Sequence, residues 1–172
     1  IPVIIAPPLI RRKPWSILAA SVATFALLYV PYVLSTGIGV LGYLPGYLSE
    51  EGYENGSRFA LVPDFIPGPV GTALVAAALA LLVAFVFWKA DPANPWLGQL
   101  IIVGGTLLLV SPRYAWYALL LIPFIAMTGR WEWFAVALAL TLRMFAPPLL
   151  AFQIALLCAA AIVIIGSLWR LP

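Results

Sequence analysis

PVGTALVAAALALLVAFVFW (residues 69–88) runs for twenty residues without a charge and is built mainly from Ala, Leu and Val. A helix rises 1.5 Å per residue, so this stretch matches the ~30 Å hydrocarbon core of a bilayer. It reads as a scaffold helix. Composition extends the reading to the whole chain: of 172 residues, 65% are apolar and 9% are charged, with a mean hydropathy of +1.09. Soluble domains carry charges at roughly a quarter of their positions. The chain is therefore an integral membrane protein.

On the N-terminal side lies the long polar interruption GIGVLGYLPGYLSEEGYENGSRF (residues 37–59), continuing to Pro69. It holds four of the six acidic residues, Glu50, Glu51, Glu54 and Asp64, together with Arg58, Tyr43, Tyr47 and Tyr53. Ile38 to Leu48 has spacings suited to an amphipathic helix in the interface, interrupted by Pro45 and glycines. Further back, Arg11-Arg12-Lys13 precedes Pro14 and Trp15, the pattern of a cytoplasmic helix start. A span from Trp15 to about Leu34 follows, with Pro31 expected to kink or end it. The first ten residues, Ile1 to Ile10, read as the last turns of a helix, and the chain opens without Met. The expectation is the C-terminal part of a longer protein.

On the C-terminal side, Lys89-Ala-Asp-Pro-Ala-Asn-Pro-Trp96 is a turn with two prolines. Leu97 to Val110 and Tyr114 to Met127 are short spans separated by Ser111-Pro112-Arg113. Gly129-Arg-Trp-Glu-Trp133 is a turn with an aromatic belt. Phe134 to Phe145 and Leu149 to Trp169 flank the break at Pro147-Pro148. The fold class is all-α: a polytopic transmembrane helical bundle of about six spans plus a partial N-terminal helix. The whole of 1–172 forms one transmembrane domain, with residues 37–69 as a long extracytoplasmic loop. Arg11, Arg12, Lys13, Lys89, Arg130 and Arg170 fall on the cytoplasmic side, six in all, against three outside, Arg58, Arg113 and Arg143. This asymmetry sets the orientation.

Several functions are excluded. The net charge is +3, and the basic residues are dispersed, so no nucleic-acid footprint exists. Histidine is absent, which removes the commonest metal ligand and general base. Cys158, the single cysteine, reads as a small core residue. The candidate residues are polar groups on the outer side. Arg113 has the planar donor fork that suits a phosphate, and Tyr114, Trp116 and Tyr117 add flat apolar surfaces. This set fits a membrane lipid with a phosphate head; an ordinary aromatic belt with a snorkelling cation has the same composition. Glu50 and Glu51 lack a local ion-pair partner and suit sugar hydroxyls, a divalent cation or general-base work. Glu54 and Arg58, four apart, read as a helix ion pair. Arg143 either snorkels or faces a cavity.

The strings Leu41-Gly-Tyr-Leu-Pro-Gly-Tyr-Leu-Ser-Glu-Glu-Gly-Tyr53 with Gly56-Ser-Arg-Phe-Ala-Leu61, Ser111-Pro-Arg-Tyr-Ala-Trp-Tyr-Ala-Leu-Leu-Leu121 and Gly129-Arg-Trp-Glu-Trp133 resemble the C-terminal half of polyprenyl-phosphate-sugar-dependent GT-C glycosyltransferases, of the bacterial family 87 mannosyltransferase type. The resemblance covers about Pro7 to Trp133. It implies transfer of a sugar, mannose in this family type, from a polyprenyl-phosphate donor to an acceptor outside the bacterial cytoplasmic membrane. It also implies a catalytic aspartate upstream of Ile1, so no catalytic residue is assigned here and these 172 residues alone are expected to be inactive. Arg113, Tyr114, Trp116 and Tyr117 would hold the donor's phosphate and lipid, and Glu50, Glu51 and Arg58 would contact acceptor or sugar. The alternative is a non-catalytic structural subunit of a larger respiratory or photosynthetic membrane complex, with other protein subunits as partners.

The orientation has a direct check. In a Cys158→Ser background, a cysteine at Asn55 should react with a membrane-impermeant maleimide on intact cells, and one at Asn94 should be spared. The reverse labelling would invert the topology.

Overall fold

The computed structural model describes residues 16–50, 61, 66, 68–89, 91, 93–112, 114–145 and 147–170. Among them every regular element is helical: α1 (Ser16–Thr36), α2 (Leu44–Glu50), α3 (Pro69–Lys89), α4 (Trp96–Val110), α5 (Ile122–Thr128), α6 (Phe134–Leu142) and α7 (Leu149–Leu168). Short 3₁₀ segments lie at Gly37–Leu41, Ala115–Leu121, Trp131–Trp133 and Arg143–Phe145. The all-α expectation holds. Three helices have the length and apolarity to cross a membrane, over Ala19–Thr36, Pro69–Lys89 and Leu149–Leu168. Trp96–Val110 and the continuous Ala115–Thr128 are apolar but shorter.

The core lies in the C-terminal half. There α4 is the central helix, burying residues on several sides, among them Leu100, Ile102, Val103, Leu107 and Leu108. It touches α3, α5, α6 and the Ala115–Leu121 segment. Two adjacent glycines make this crowding possible. A Cβ at Gly104 would overlap the indole of Trp133, and one at Gly105 would come 2.7 Å from a methyl of Leu82 on α3. Small residues of this kind let membrane helices approach closely, because packing rather than water exclusion drives their association.

Helix α7 presents a narrow buried stripe, Phe152, Leu156, Ala159 and Val163, at the alternating four and three spacing of a helix seam. The stripe faces α6, whose Val136, Ala137, Ala139 and Leu140 are buried. Cys158 falls off it and is exposed, contrary to the expected core position. The pair is antiparallel. The Arg143 guanidinium lies 4.9 Å from the centroid of Phe152 at one end, and Glu132 packs against Gly166 at the other. Helices α3 and α4 are likewise antiparallel, since Gly105 meets Leu82 while Phe85 and Lys89 share a cleft with Ile101 and Leu97. Lys89, Arg130 and Arg170 therefore share one end of the bundle, and Tyr114 and Pro147 lie at the other.

Local chemistry explains the irregular segments. Pro123 sits at the start of α5 without an N–H, and in a continued α-helix its ring would meet the carbonyl of Leu119. The residues before it tighten into a 3₁₀ helix, in which Ile122 N–H donates to Leu119 O. Hydroxyls inside helices donate to backbone carbonyls one turn back, Thr128 to Phe124 O at 2.7 Å and Thr141 to Ala137 O at 2.8 Å. Hydrocarbon offers them no other acceptor.

The N-terminal part differs from expectation in two places. Pro31 does not end α1, which continues to Thr36. The expected single helix over Ile38–Leu48 is split at Gly42, whose φ of 49° and ψ of −123° are open to glycine alone, so a 3₁₀ turn and α2 replace it. Helix α1 packs on that 3₁₀ turn and buries none of its spanning window.

The Gly104 contact is testable. Gly104→Ala should destabilise the protein by about 1–3 kcal/mol, the cost of overpacking against a rigid ring. Gly105→Ala should cost less, because a Leu82 methyl can rotate away, and Gly39→Ala, with no neighbour in reach, should be near neutral. Unfolding in mixed micelles would measure all three. Equal stabilities would remove the contact from the account of the fold.

Candidate functional site

The end of the bundle opposite Lys89 is built around the turn after α4. Ser111 caps that helix in the left-handed region (φ 47°, ψ 60°). Such a backbone costs a non-glycine residue about 1–2 kcal/mol. Two bonds hold it there: Ser111 N–H donates to Leu107 O at 2.9 Å, and its Oγ donates to Leu108 O at 3.0 Å. Ser111 is almost fully buried, so this turn is fixed by the core beneath it.

The 3₁₀ segment that follows sets which aromatic rings face outward. With three residues per turn, Ala118 and Leu121 fall on the buried face, and Trp116 and Leu119 fall on the exposed one. Tyr114 stacks on Trp116, ring centroids 4.3 Å apart and planes 11° from parallel, and Tyr117 lies tilted at 6.4 Å from Trp116. Trp116 is 61% exposed and Tyr114 42%. The structure thus brings three of the four expected lipid-phosphate residues into one cluster. Arg113 lies outside the described residues. Arg143 adds a half-buried cation at the same end of the bundle, held over Phe152. The sequence reading left its role open; the Arg143 and Phe152 positions flank Pro147-Pro148, and that break is the signal for their pairing.

The second expected group separates. Glu50 ends α2 and accepts a hydrogen bond from the Tyr43 hydroxyl, so it does have a local partner, seven residues back along the same face. Gly46 leaves room for the Tyr43 ring that makes this reach. Glu51, Glu54 and Arg58 lie outside the described residues. Among the described residues α2 and the Tyr114–Tyr117 segment form no packed interface. Nor do three His, Cys, Asp or Glu side chains gather there as a cation site would require.

At the opposite end the structure shows a cluster that topology alone did not reveal. Glu132, 8% exposed, takes Arg130 Nη1 on one carboxylate oxygen and Arg170 Nη2 on the other, each at 3.4 Å. Arg170 Nη2 also donates to the carbonyl of Gly129 at 3.2 Å. Gly166 allows Glu132 to lie this close to α7. The signal was available, since Glu132 is the only acidic residue after Asp91. Its chemistry is that of a clasp joining the Gly129–Trp133 turn to the end of α7.

The fold and these sites define a membrane-embedded helical bundle with an aromatic cluster at one end and an ionic clasp at the other. No protein-family profile, curated protein or solved structure matches the chain.

The clasp predicts that Glu132→Gln lowers stability by about 1–2 kcal/mol, the low end for charge-assisted bonds because Arg170 is half exposed. Arg130, 22% exposed against 46% for Arg170, should cost more when changed to Ala. Micelle unfolding of the three variants measures this, and an unchanged Glu132→Gln would reduce the clasp to a surface contact.

Proposed function

We propose that the chain is the membrane-embedded C-terminal part of a polyprenyl-phosphate-sugar-dependent GT-C glycosyltransferase, crossing a bacterial cytoplasmic membrane six times. The observation that carries this reading is the outward-facing stack of Tyr114 and Trp116, one residue from Arg113 in the chain. Flat rings at a bundle end suit an isoprenoid stem or a sugar face, and a guanidinium suits the phosphate between them. The segment also belongs to the second of the three strings that resemble the family. In this reading Arg113 and the aromatic rings hold the donor, and Glu50, Glu51 and Arg58 contact the sugar or acceptor. The base is supplied from outside these residues.

A second reading draws on α1. A spanning helix that buries nothing against its own chain is suited to packing on another protein, as in a structural subunit of a larger membrane complex.

Binding of a polyprenyl-phosphate-mannose analogue to the purified chain separates the two. Arg113→Ala should weaken it about tenfold to a hundredfold, the loss of a charge-assisted bond of about 1.5–3 kcal/mol. Arg113→Lys should rescue in part, because it keeps the charge and loses the fork. Trp116→Ala should weaken binding with the fold intact, and Lys13→Ala should match the parent. If Arg113→Ala binds like Lys13→Ala, the structural reading stands instead.

A further inference from the structure

The Lys89 end holds a cleft that the proposed function does not use. It lies between α3 and α4 where they diverge from their close contact at Gly105 and Leu82, and its volume is about 300 Å³. Phe85 from α3 and Leu97 and Ile101 from α4 form apolar walls, and Phe85 and Leu97 are exposed, so the cleft opens sideways toward lipid. Three polar side chains stand at its rim: Lys89, Asp91 and Asn94. Lys89 Nζ lies 5.6 Å from the ring centroid of Trp88, an interfacial residue. Asp91 Oδ1 accepts the N–H of Ala93 at 2.8 Å, which orients the carboxylate and turns Oδ2 into the oxygen available to an outside donor.

We propose that this cleft binds one phosphatidylethanolamine molecule, with its headgroup on Lys89, Asp91 and Asn94 and the upper part of an acyl chain against Phe85, Leu97 and Ile101. The choice rests on charge complementarity. A rim with one cation and one anion matches a headgroup with one of each. The phosphate accepts from Lys89, and the primary ammonium donates to the Asp91 carboxylate, with the Asn94 amide able to serve either group. Phosphatidylcholine has the same charges, but its quaternary nitrogen has no N–H to donate. Phosphatidylglycerol has the phosphate and nothing to pair with Asp91, whose charge opposes it. About 300 Å³ is at the small end for a ligand pocket, which suits a headgroup and part of a chain rather than a whole lipid. The site lies at the other end of α4 from Tyr114 and stands or falls independently of the glycosyltransferase reading.

Native mass spectrometry of the full chain, released from micelles with phosphatidylethanolamine, phosphatidylcholine or phosphatidylglycerol of identical acyl chains, tests the assignment. The unmodified protein should retain one phosphatidylethanolamine with about tenfold higher affinity than either competitor, the size expected for one charge-assisted bond. Asp91→Asn should abolish the preference over phosphatidylglycerol, and Lys89→Gln should weaken both phosphate lipids together. Leu97→Trp, which fills the cleft without touching the rim charges, should lower retention of all three, with helicity by circular dichroism confirming that each variant folds. Equal retention of phosphatidylethanolamine and phosphatidylcholine by the unmodified protein, or a preference unchanged in Asp91→Asn, would overturn the proposal.

Discussion

The contact between Gly104 and the indole of Trp133 is the constraint on which the rest of the bundle depends. It requires a residue without a side chain at the centre of α4, and it requires the turn at residues 131–133 to sit deep enough for Trp133 to reach there. Its neighbour Glu132 points to the other side, against Gly166 of α7, and is held by Arg130 and Arg170. Two consecutive side chains of one short turn therefore fasten the central helix and the last helix at once. Because hydrocarbon provides no hydrophobic drive between helices, such close steric fits and satisfied charges hold membrane folds together.

The same constraint shapes both ends. With α4 fixed in the middle, its C-terminal turn through Ser111 is buried and rigid, and the following 3₁₀ segment turns Trp116 outward. At the other end α4 and α3 part below their glycine contact and leave a cleft rimmed by Lys89, Asp91 and Asn94. The stiff centre thus places two chemically different surfaces at opposite ends of one bundle. One is aromatic, with Arg143 at the same end of the bundle, and the other pairs opposite charges over an apolar wall.

The polar groups inside the bundle follow one rule. Thr128, Thr141 and Ser111 direct their hydroxyls to carbonyls of their own helix, and Glu132 is balanced by two guanidinium groups. A polar atom in hydrocarbon without a partner costs several kcal/mol, on the order of the whole stability of a small domain, so such residues survive only where a partner is within reach.

The sequence by itself determined the helical class, the membrane setting and the boundaries of most helices, because length, uncharged runs and prolines act locally and need no partner to be read. Pro69, Pro95 and Pro148 adjoin or open the helices that were expected there. It also marked Tyr114, Trp116 and Tyr117, since an aromatic group beside Ser-Pro-Arg is visible as text. Only the tertiary structure decided that these rings stack and face outward, because that depends on the switch from 3.6 to 3 residues per turn ahead of Pro123. It alone paired Arg130 and Arg170 on Glu132, thirty-eight residues separating the farther pair. It also paired Glu50 with Tyr43 where spacing had shown no partner, and moved Cys158 from the expected core to the exposed face of α7. In a chain this uniformly apolar, hydrophobic pattern cannot tell lipid from neighbouring helix. Which side of each helix faces protein is set by the size and charge of residues brought together from distant parts of the chain.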